Sequence, residues 1–557
     1  MIQMPSTLPP MSALTWILAM LPLIVVLVLM FQFKVSGPRA GVIAWVITLV
    51  IAYFVFKAGP QVLLAGSIKG VWTTLSVLFI IWSSMFLYNI VNETGSFKVI
   101  ANTFTRLTNG NRLLQLLILG WAFPTFVQGV CGFGVPVAVA TPLLIGLGFD
   151  PMLSVITALM GHSWGITFGS LGASYEALYT PSFGAWAGEW AGTGAPDAWR
   201  APLAMWGSIF IAFGGVIVGL CILHHYRKYV PEEEKGSVIR KGLPAVLFLS
   251  IVMGLVMVGV CTWLVPNIGC FIAGAAGLGL GALVLPKMKA YKGTGEEFKP
   301  QEGTPDLSFL QAFSGYLMLF AIVLVCLLEV KGVFSNPIKQ ALASVKFGYN
   351  AVESVTGTGF TTPASFQSLN LTTPGVLIVV SSIVAICLYK AMGALPKGAV
   401  GRSLMNTAKQ SIGSTTTVIA MTMMAVVMTE SGLTTYIAYG IAAVAGSFFP
   451  FLAPFIGLLG GFVTSSGTSS NVLFAGLQFE VANALKISPF IILAEQTTAS
   501  SLSNSFSPGN ASLGTGVSNQ SGKEGEILKV TGFYNMIQSA LVGLLGILLI
   551  NVLHMGL

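Results

Sequence analysis

A chain of 557 residues that is 54% hydrophobic and only 8% charged, with a mean hydropathy of +0.83, falls outside the soluble globular class, where about a quarter of residues are charged. The formal net charge of +8 comes from basic residues gathered between apolar runs, at Lys98, Arg106 and Arg112, at Arg227, Lys228, Arg240 and Lys241, and at Lys287, Lys289 and Lys292. That is the positive-inside pattern of cytoplasmic loops, so it excludes a nucleic-acid footprint and says nothing about the charge of a substrate.

Counting apolar runs of spanning length gives about fourteen membrane-embedded segments. The first, at 14–31, has no basic residue before it and Lys34 and Arg39 after it, which predicts a retained span with its N-terminus outside. Runs at 41–56 and 71–91 follow. The next, 113–147, is interrupted by Gln128-Gly129-Val130-Cys131-Gly132-Phe133-Gly134-Val135-Pro136, and three glycines and a proline break a helix. We expect a re-entrant hairpin over about 113–148. After Asp150-Pro151 comes a broken helix over about 152–172, ending in the glycine-rich Gly161-His162-Ser163-Trp164-Gly165-Ile166-Thr167-Phe168-Gly169-Ser170.

The segment 171–200, with Glu176, Glu189 and Asp197, reads as an extracytoplasmic loop. Spans near 201–223, 243–265 and 271–285 precede a charged loop to Asp306 and a span at 309–328. The polar interval 335–371, containing Glu353 and Thr356-Gly357-Thr358-Gly359, is either a loop or an unwound segment. Apolar runs resume at 375–388, 418–428 and 437–449, and a last span covers 533–553. The six cysteines, Cys131, Cys221, Cys261, Cys270, Cys326 and Cys387, show no CxxC spacing and read as small core residues.

A second hairpin is expected over about 451–486, interrupted by Thr464-Ser465-Ser466-Gly467-Thr468-Ser469-Ser470-Asn471, with a broken helix at about 489–510. Such a break at membrane depth needs cover from protein or a water-filled cavity. A helix starting near Ser470 or Asn471 would aim its unpaired N–H groups and positive dipole end into the break, holding a small anion without lysine or arginine. The plainer reading is a solvated loop or an ordinary cap. Gly129 precedes Pro151 by the same interval as Gly467 precedes Pro489, and paired broken segments point to the central site of a secondary transporter. The expected fold is an all-α polytopic membrane protein of two repeats: 1–225, connecting spans and loops at 226–306, and 307–557. The relative orientation of the repeats stays open, because few charges lie between Lys409 and Lys486.

The pieces Gly132-Phe133-Gly134 with Pro136-Val137-Ala138, Phe168-Gly169, Thr468-Ser469-Ser470-Asn471 with Leu473-Phe474-Ala475, and Ser507-Pro508 resemble the lactate permease family. That resemblance implies proton-coupled carriage of lactate or glycolate across a bacterial inner membrane, with two hairpin-bearing repeats. The family commonly has an acid where Gln128 and Gly467 stand and a lysine where Asn504 stands, so three charges are absent here. Sodium coupling, or another small organic anion, is the alternative; a passive anion channel is a further one.

The expected binding residues are Gln128, Gly129, Gly132, Phe133, Gly134, His162, Ser163, Ser466, Gly467, Thr468, Ser469, Ser470, Asn471, Thr497, Asn504 and Ser507, with Phe506 beside Phe133 over a methyl end. His162 and Glu495 are the coupling candidates, since ionisable groups in spans are functional by default; a packing histidine and an acid paired elsewhere are the plain readings. Glu480 faces either the core or a cytoplasmic rim. No phosphate-binding loop, HExxH or nucleophile elbow is present, so neither an enzyme nor an ATP-driven pump is expected, and no cofactor or metal beyond the coupling ion. The expected partners are the anion and membrane lipid; a homodimer interface would look like lipid-facing surface.

Overall fold

In an apolar medium every backbone N–H and C=O needs a partner within the chain, and helices supply it locally. The computed structural model describes residues 8–33, 35–132, 134–178, 199–292, 303–330, 374–520 and 523–555, and among these all regular structure is helical. In chain order come α1 (Ala13–Phe31), α2 (Gly37–Phe54), α3 (Pro60–Glu93) and the short α4 (Ser96–Leu107). A first helix–break–helix is formed by α5 (Arg112–Val130) and α6 (Val135–Gly146), followed by α7 (Pro151–Ser163). Then come α8 (Arg200–Tyr226), α9 (Val238–Trp263), α10 (Gly269–Val284), α11 (Phe309–Val330), α12 (Pro374–Ala391), α13 (Ala399–Glu430) and α14 (Leu433–Ala445). The second helix–break–helix is α15 (Phe449–Thr464) and α16 (Gly467–Leu485), followed by α17 (Pro489–Leu502), α18 (Pro508–Val517) and α19 (Glu524–Ile547).

Among the described residues, 8 helical stretches are long and apolar enough to cross a membrane, so the protein is multi-pass. Of the other apolar runs, α6 and α7 are short pieces next to the first break, while α1, α11 and α12 are continuous helices of 19, 22 and 18 residues. The run at 418–428 is only the end of α13, whose first half carries Arg402, Lys409 and Gln410 and so escapes a hydropathy count. Residues 171–178 are not a solvated loop. They are buried, and Glu176 bonds Arg200 and Asn267. Cys387 is exposed and not a core residue. Phe133, Glu189, Asp197, the interval 335–371 and the side chain of Cys326 lie outside the described residues.

Helix α13 packs along α2 and α3 through glycines at i, i+4 spacing. Gly37 and Gly41 of α2 face Thr417 and Ala420, while Gly66 and Gly70 of α3 face Val427 and Met423. The α3–α13 pair is closed at both ends in the same way. Glu93-Thr94-Gly95 ends α3 and Glu430-Ser431-Gly432 ends α13, with each glycine at positive φ (72° and 80°), where only glycine is unstrained. Glu93 pairs with Arg402 at the start of α13 and Glu430 pairs with Lys69 of α3 at 2.8 Å. The two glutamates are 430 − 93 = 337 residues apart, and the prolines that open α7 and α17 are 489 − 151 = 338 apart.

Both prolines stand at the first helical position behind a capping side chain. Asp150 accepts from Met152 and Leu153, and Ser488 accepts from Ile491. The halves are inverted. The first hairpin's base is tied by Arg112, which bonds Leu147 O and Gly148 O, and lies beside Lys529 and Tyr534 near the start of α19 through Met152 and His224. The second hairpin's base lies at the other end of α19, where Asn551 donates to Ser447 O and Gly543 packs on the Phe451 backbone. From Lys529 to Asn551 a helix climbs about 33 Å, so the two bases lie at opposite ends of the bundle.

Candidate functional site

The four breaks converge. A cavity of about 380 Å³ is lined from the first break by Gln128 and Gly134, from the end of α7 by His162, and from the second break by Thr464 through Ser469. Asn504, Gly509 and Asn510 close it from the turn between α17 and α18, Gln410, Gly413 and Thr417 of α13 with Pro38 form another wall, and Ser170 and Ser174 add hydroxyls from the segment after α7. Ligand sites for small molecules run from about 300 to 1,000 Å³, so the size suits a compact solute.

Its chemistry is set by helix ends. Gly134, at φ 83°, starts α6, and Ser466 caps α16 by accepting from Ser469 N at 3.2 Å. Helix α16 therefore begins at Gly467, three residues earlier than the expected Ser470, because Ser465 takes a left-handed φ of 53° and turns the chain there. With Gly509 and Asn510 of α18, three helix N-termini border the cavity, each with partial positive charge. Among the described residues, no lysine, arginine, aspartate or glutamate lines it.

The histidine that lines the cavity is oriented. His162 Nδ1 lies 3.0 Å from Gln128 Oε1, and an amide oxygen only accepts, so Nδ1 carries the proton. His162 Nε2 is buried and has no partner among the described residues. The Gln128 side chain fits because Gly132 and Gly169 both abut it, where any Cβ would collide.

Sequence-derived expectations divide at this point. Gln128, Gly134, His162, Ser466, Gly467, Thr468, Ser469 and Asn504 all line the cavity, and the three positions where family charges are absent, Gln128, Gly467 and Asn504, are among them. Others turn inward as braces. Asn471 Nδ2 donates to Ser174 O, Ser174 Oγ and Thr497 Oγ1, and its Oδ1 accepts from Ser500. Ser470 Oγ donates to Gly457 O, Ser507 to Asn504 O, and Ser163 to Met160 O. Thr497 and Thr167 bond each other, and Ser501 donates to Ser163 O at 2.7 Å while accepting from Thr167 N. Ser163 and Ser501 are again 501 − 163 = 338 residues apart, so equivalent residues touch where the two broken helices cross.

Gly129 is no counterpart of Gly467. It lies within α5 against the Phe271 backbone, and the equal interval to the prolines hides hairpin arms of different length. Gly132 serves the Gln128 contact and does not line the cavity, and Phe506 stacks on Phe462 at 4.5 Å, away from it. Glu495 is also apart. Both its oxygens are buried without a partner among the described residues, pressed on Gly546 of α19.

The sequence reading missed Gln410, Gly413, Thr417 and Pro38, and the Lys69–Glu430 pair. The signal for that pair was present in the matched Glu-Thr-Gly and Glu-Ser-Gly at helix ends.

A multi-pass helical bundle with a central cavity between broken helices is the architecture of a membrane permease. The family model described as L-lactate permease matches residues 15–553, and the chain belongs to that family. The glycolate permease GlcA of Escherichia coli K12 is 26% identical over 96% of this chain and 95% of its own, and the L-lactate permease of Streptococcus iniae is 26% identical over 88% and 95%. Among solved structures, MtrF of Neisseria gonorrhoeae superposes with a TM-score of 0.47 at 13% identity over 93% of this chain and 96% of its own.

Proposed function

We propose that this permease carries a small 2-hydroxymonocarboxylate, such as lactate or glycolate, across a bacterial inner membrane together with protons. Access alternates around the two breaks as re-entrant hairpins. The observation that carries the reading is a cavity bordered by three helix N-termini and hydroxyls and lined, among the described residues, by no lysine, arginine, aspartate or glutamate. Such a site neutralises one carboxylate and disfavours a polyanion, since each added charge would lack a counter-charge. With Nδ1 bonded to Gln128, the neutral His162 offers Nε2 as an acceptor for the hydrogen bond of the 2-hydroxyl. The basic end of the bundle faces the cytoplasm and the N-terminus lies outside. A proton moving inward with the anion cancels its charge, removing about 2.3 kcal/mol of opposing work per 100 mV.

The neutral residues Gln128, Gly467 and Asn504 favour a second reading, a carrier of the same fold coupled to sodium or selecting another small anion. Labelled L-lactate uptake into proteoliposomes under an inward proton gradient, and separately an inward sodium gradient, decides between them. Proton-driven uptake competed by glycolate and reduced by His162→Gln is expected. Uptake driven only by sodium supports the second reading, and no uptake under either gradient overturns the substrate.

A further inference from the structure

A second polar chamber lies away from the large cavity, between α16, α13, α14 and α1. Its volume is about 30 Å³, room for a single water. Leu23, Val426 and Ile437 are among its apolar walls, and its polar wall is Thr429, Thr434 and the carboxylate of Glu480. Among the described residues, no hydrogen bond or ion pair holds that carboxylate and no basic side chain lines the chamber. The charged groups of the packed elements are committed elsewhere. Glu430 on α13 is held by Lys69, Glu495 on α17 is turned to Gly546, and Glu176 pairs with Arg200, while α14 brings only the phenol of Tyr439 near Glu480.

Glu480 is half-buried, and an ionised carboxylate facing apolar walls without a counter-charge is disfavoured. Glu480 therefore needs a cation, and the chamber limits which. Thr429 Oγ1 already donates to Ala425 O and stands 3.4 Å from Thr434 Oγ1, so the side chains offer too few oxygens to replace a sodium ion's hydration shell. A proton needs one oxygen.

Building on the transport reading above, we propose that Glu480 is the residue that takes up and releases the coupling proton. A hydronium entering the chamber gives its proton to the carboxylate and leaves a water; the reverse step returns the proton to water after the conformational change. Glu495 is not equivalent, because both its oxygens are buried against Gly546 and it lines neither of these two cavities. The geometry also links the two ligands. Helix α16 offers its N-terminus to the anion cavity and carries Glu480 further along the same rod, so displacement of α16 along α13 and α14 changes both sites together.

Glu480→Gln and Glu495→Gln in proteoliposomes test this. Glu480→Gln should keep labelled-lactate exchange within about twofold of the parent and lose proton-driven accumulation by about tenfold or more, while Glu495→Gln keeps both. Proton-driven accumulation by Glu480→Gln equal to the parent's would overturn the assignment. A measurement independent of substrate is labelling by dicyclohexylcarbodiimide, which attacks protonated carboxyls in apolar surroundings, read by peptide mass spectrometry. Labelling of Glu480 that falls as pH rises and ignores sodium is expected; no labelling, or protection by sodium alone, defeats the proposal. If the parent protein exchanges no hydroxy acid, the transport reading fails, and the labelling result still decides the proton site.

Discussion

Glu430 and Glu93 close opposite ends of the α3–α13 pair in opposite surroundings. Lys69 and Glu430 are 1% and 6% exposed, whereas Arg402 and Glu93 are 51% and 18% exposed. In the dry contact, loss of one partner strands a charge; in the wet one, water takes the partner's place. The halves diverge at the cavity too. The first contributes an imidazole held by an amide, and the second contributes hydroxyls and the capped start of α16. A shared plan puts groups at matching places, and the surroundings decide what each one does.

That contrast is sharpest at Lys69. Lys69→Ala should lower stability by about 3–5 kcal/mol, the cost of an uncompensated buried charge, seen as a lower melting temperature in detergent. Lys69→Met combined with Glu430→Gln should recover most of the loss, and a double variant no better than the single one would contradict the account. A smaller effect, about 1–3 kcal/mol, is expected for Ser501→Ala, which leaves Thr167 N–H and Ser163 O unsatisfied where the halves cross. Gly467→Asp should weaken anion uptake by about tenfold, since its Cβ would stand 2.9 Å from Ile166 Cγ2 and its charge would oppose the substrate. Adding Asn504→Lys should restore affinity, because Asn504 Nδ2 lies 3.5 Å from that same Cβ position. The smallest effect belongs to Arg402→Ala, whose melting temperature should match the parent's at low and high salt.

The breaks were legible because glycine, serine and proline inside apolar runs can hardly be anything else. The direction of each side chain was not. Asn471 and Thr497 have the same hydrogen-bonding capacity as Ser466 and Thr468, yet they point into the crossing of the broken helices, which depends on partners hundreds of residues away. The contribution of α13 was hidden for another reason: its cavity-lining half is polar, and hydropathy finds only apolar spans. The inversion of the halves was equally invisible to charge counting and follows from which residues meet each end of α19.

That placement of α19 has a consequence for how the protein is made. The chain is synthesised from its N-terminus, so both hairpins are already present before α19 appears. Helix α19 packs on α15 and α17 of the second half and on α7 and α8 of the first, so it adds a late contact between halves already joined where α13 lies along α2 and α3. Disruption of its packing, for instance at Gly543 against Phe451, would therefore surface first as a newly made chain recognised by quality-control proteases, before any change in a finished carrier's turnover.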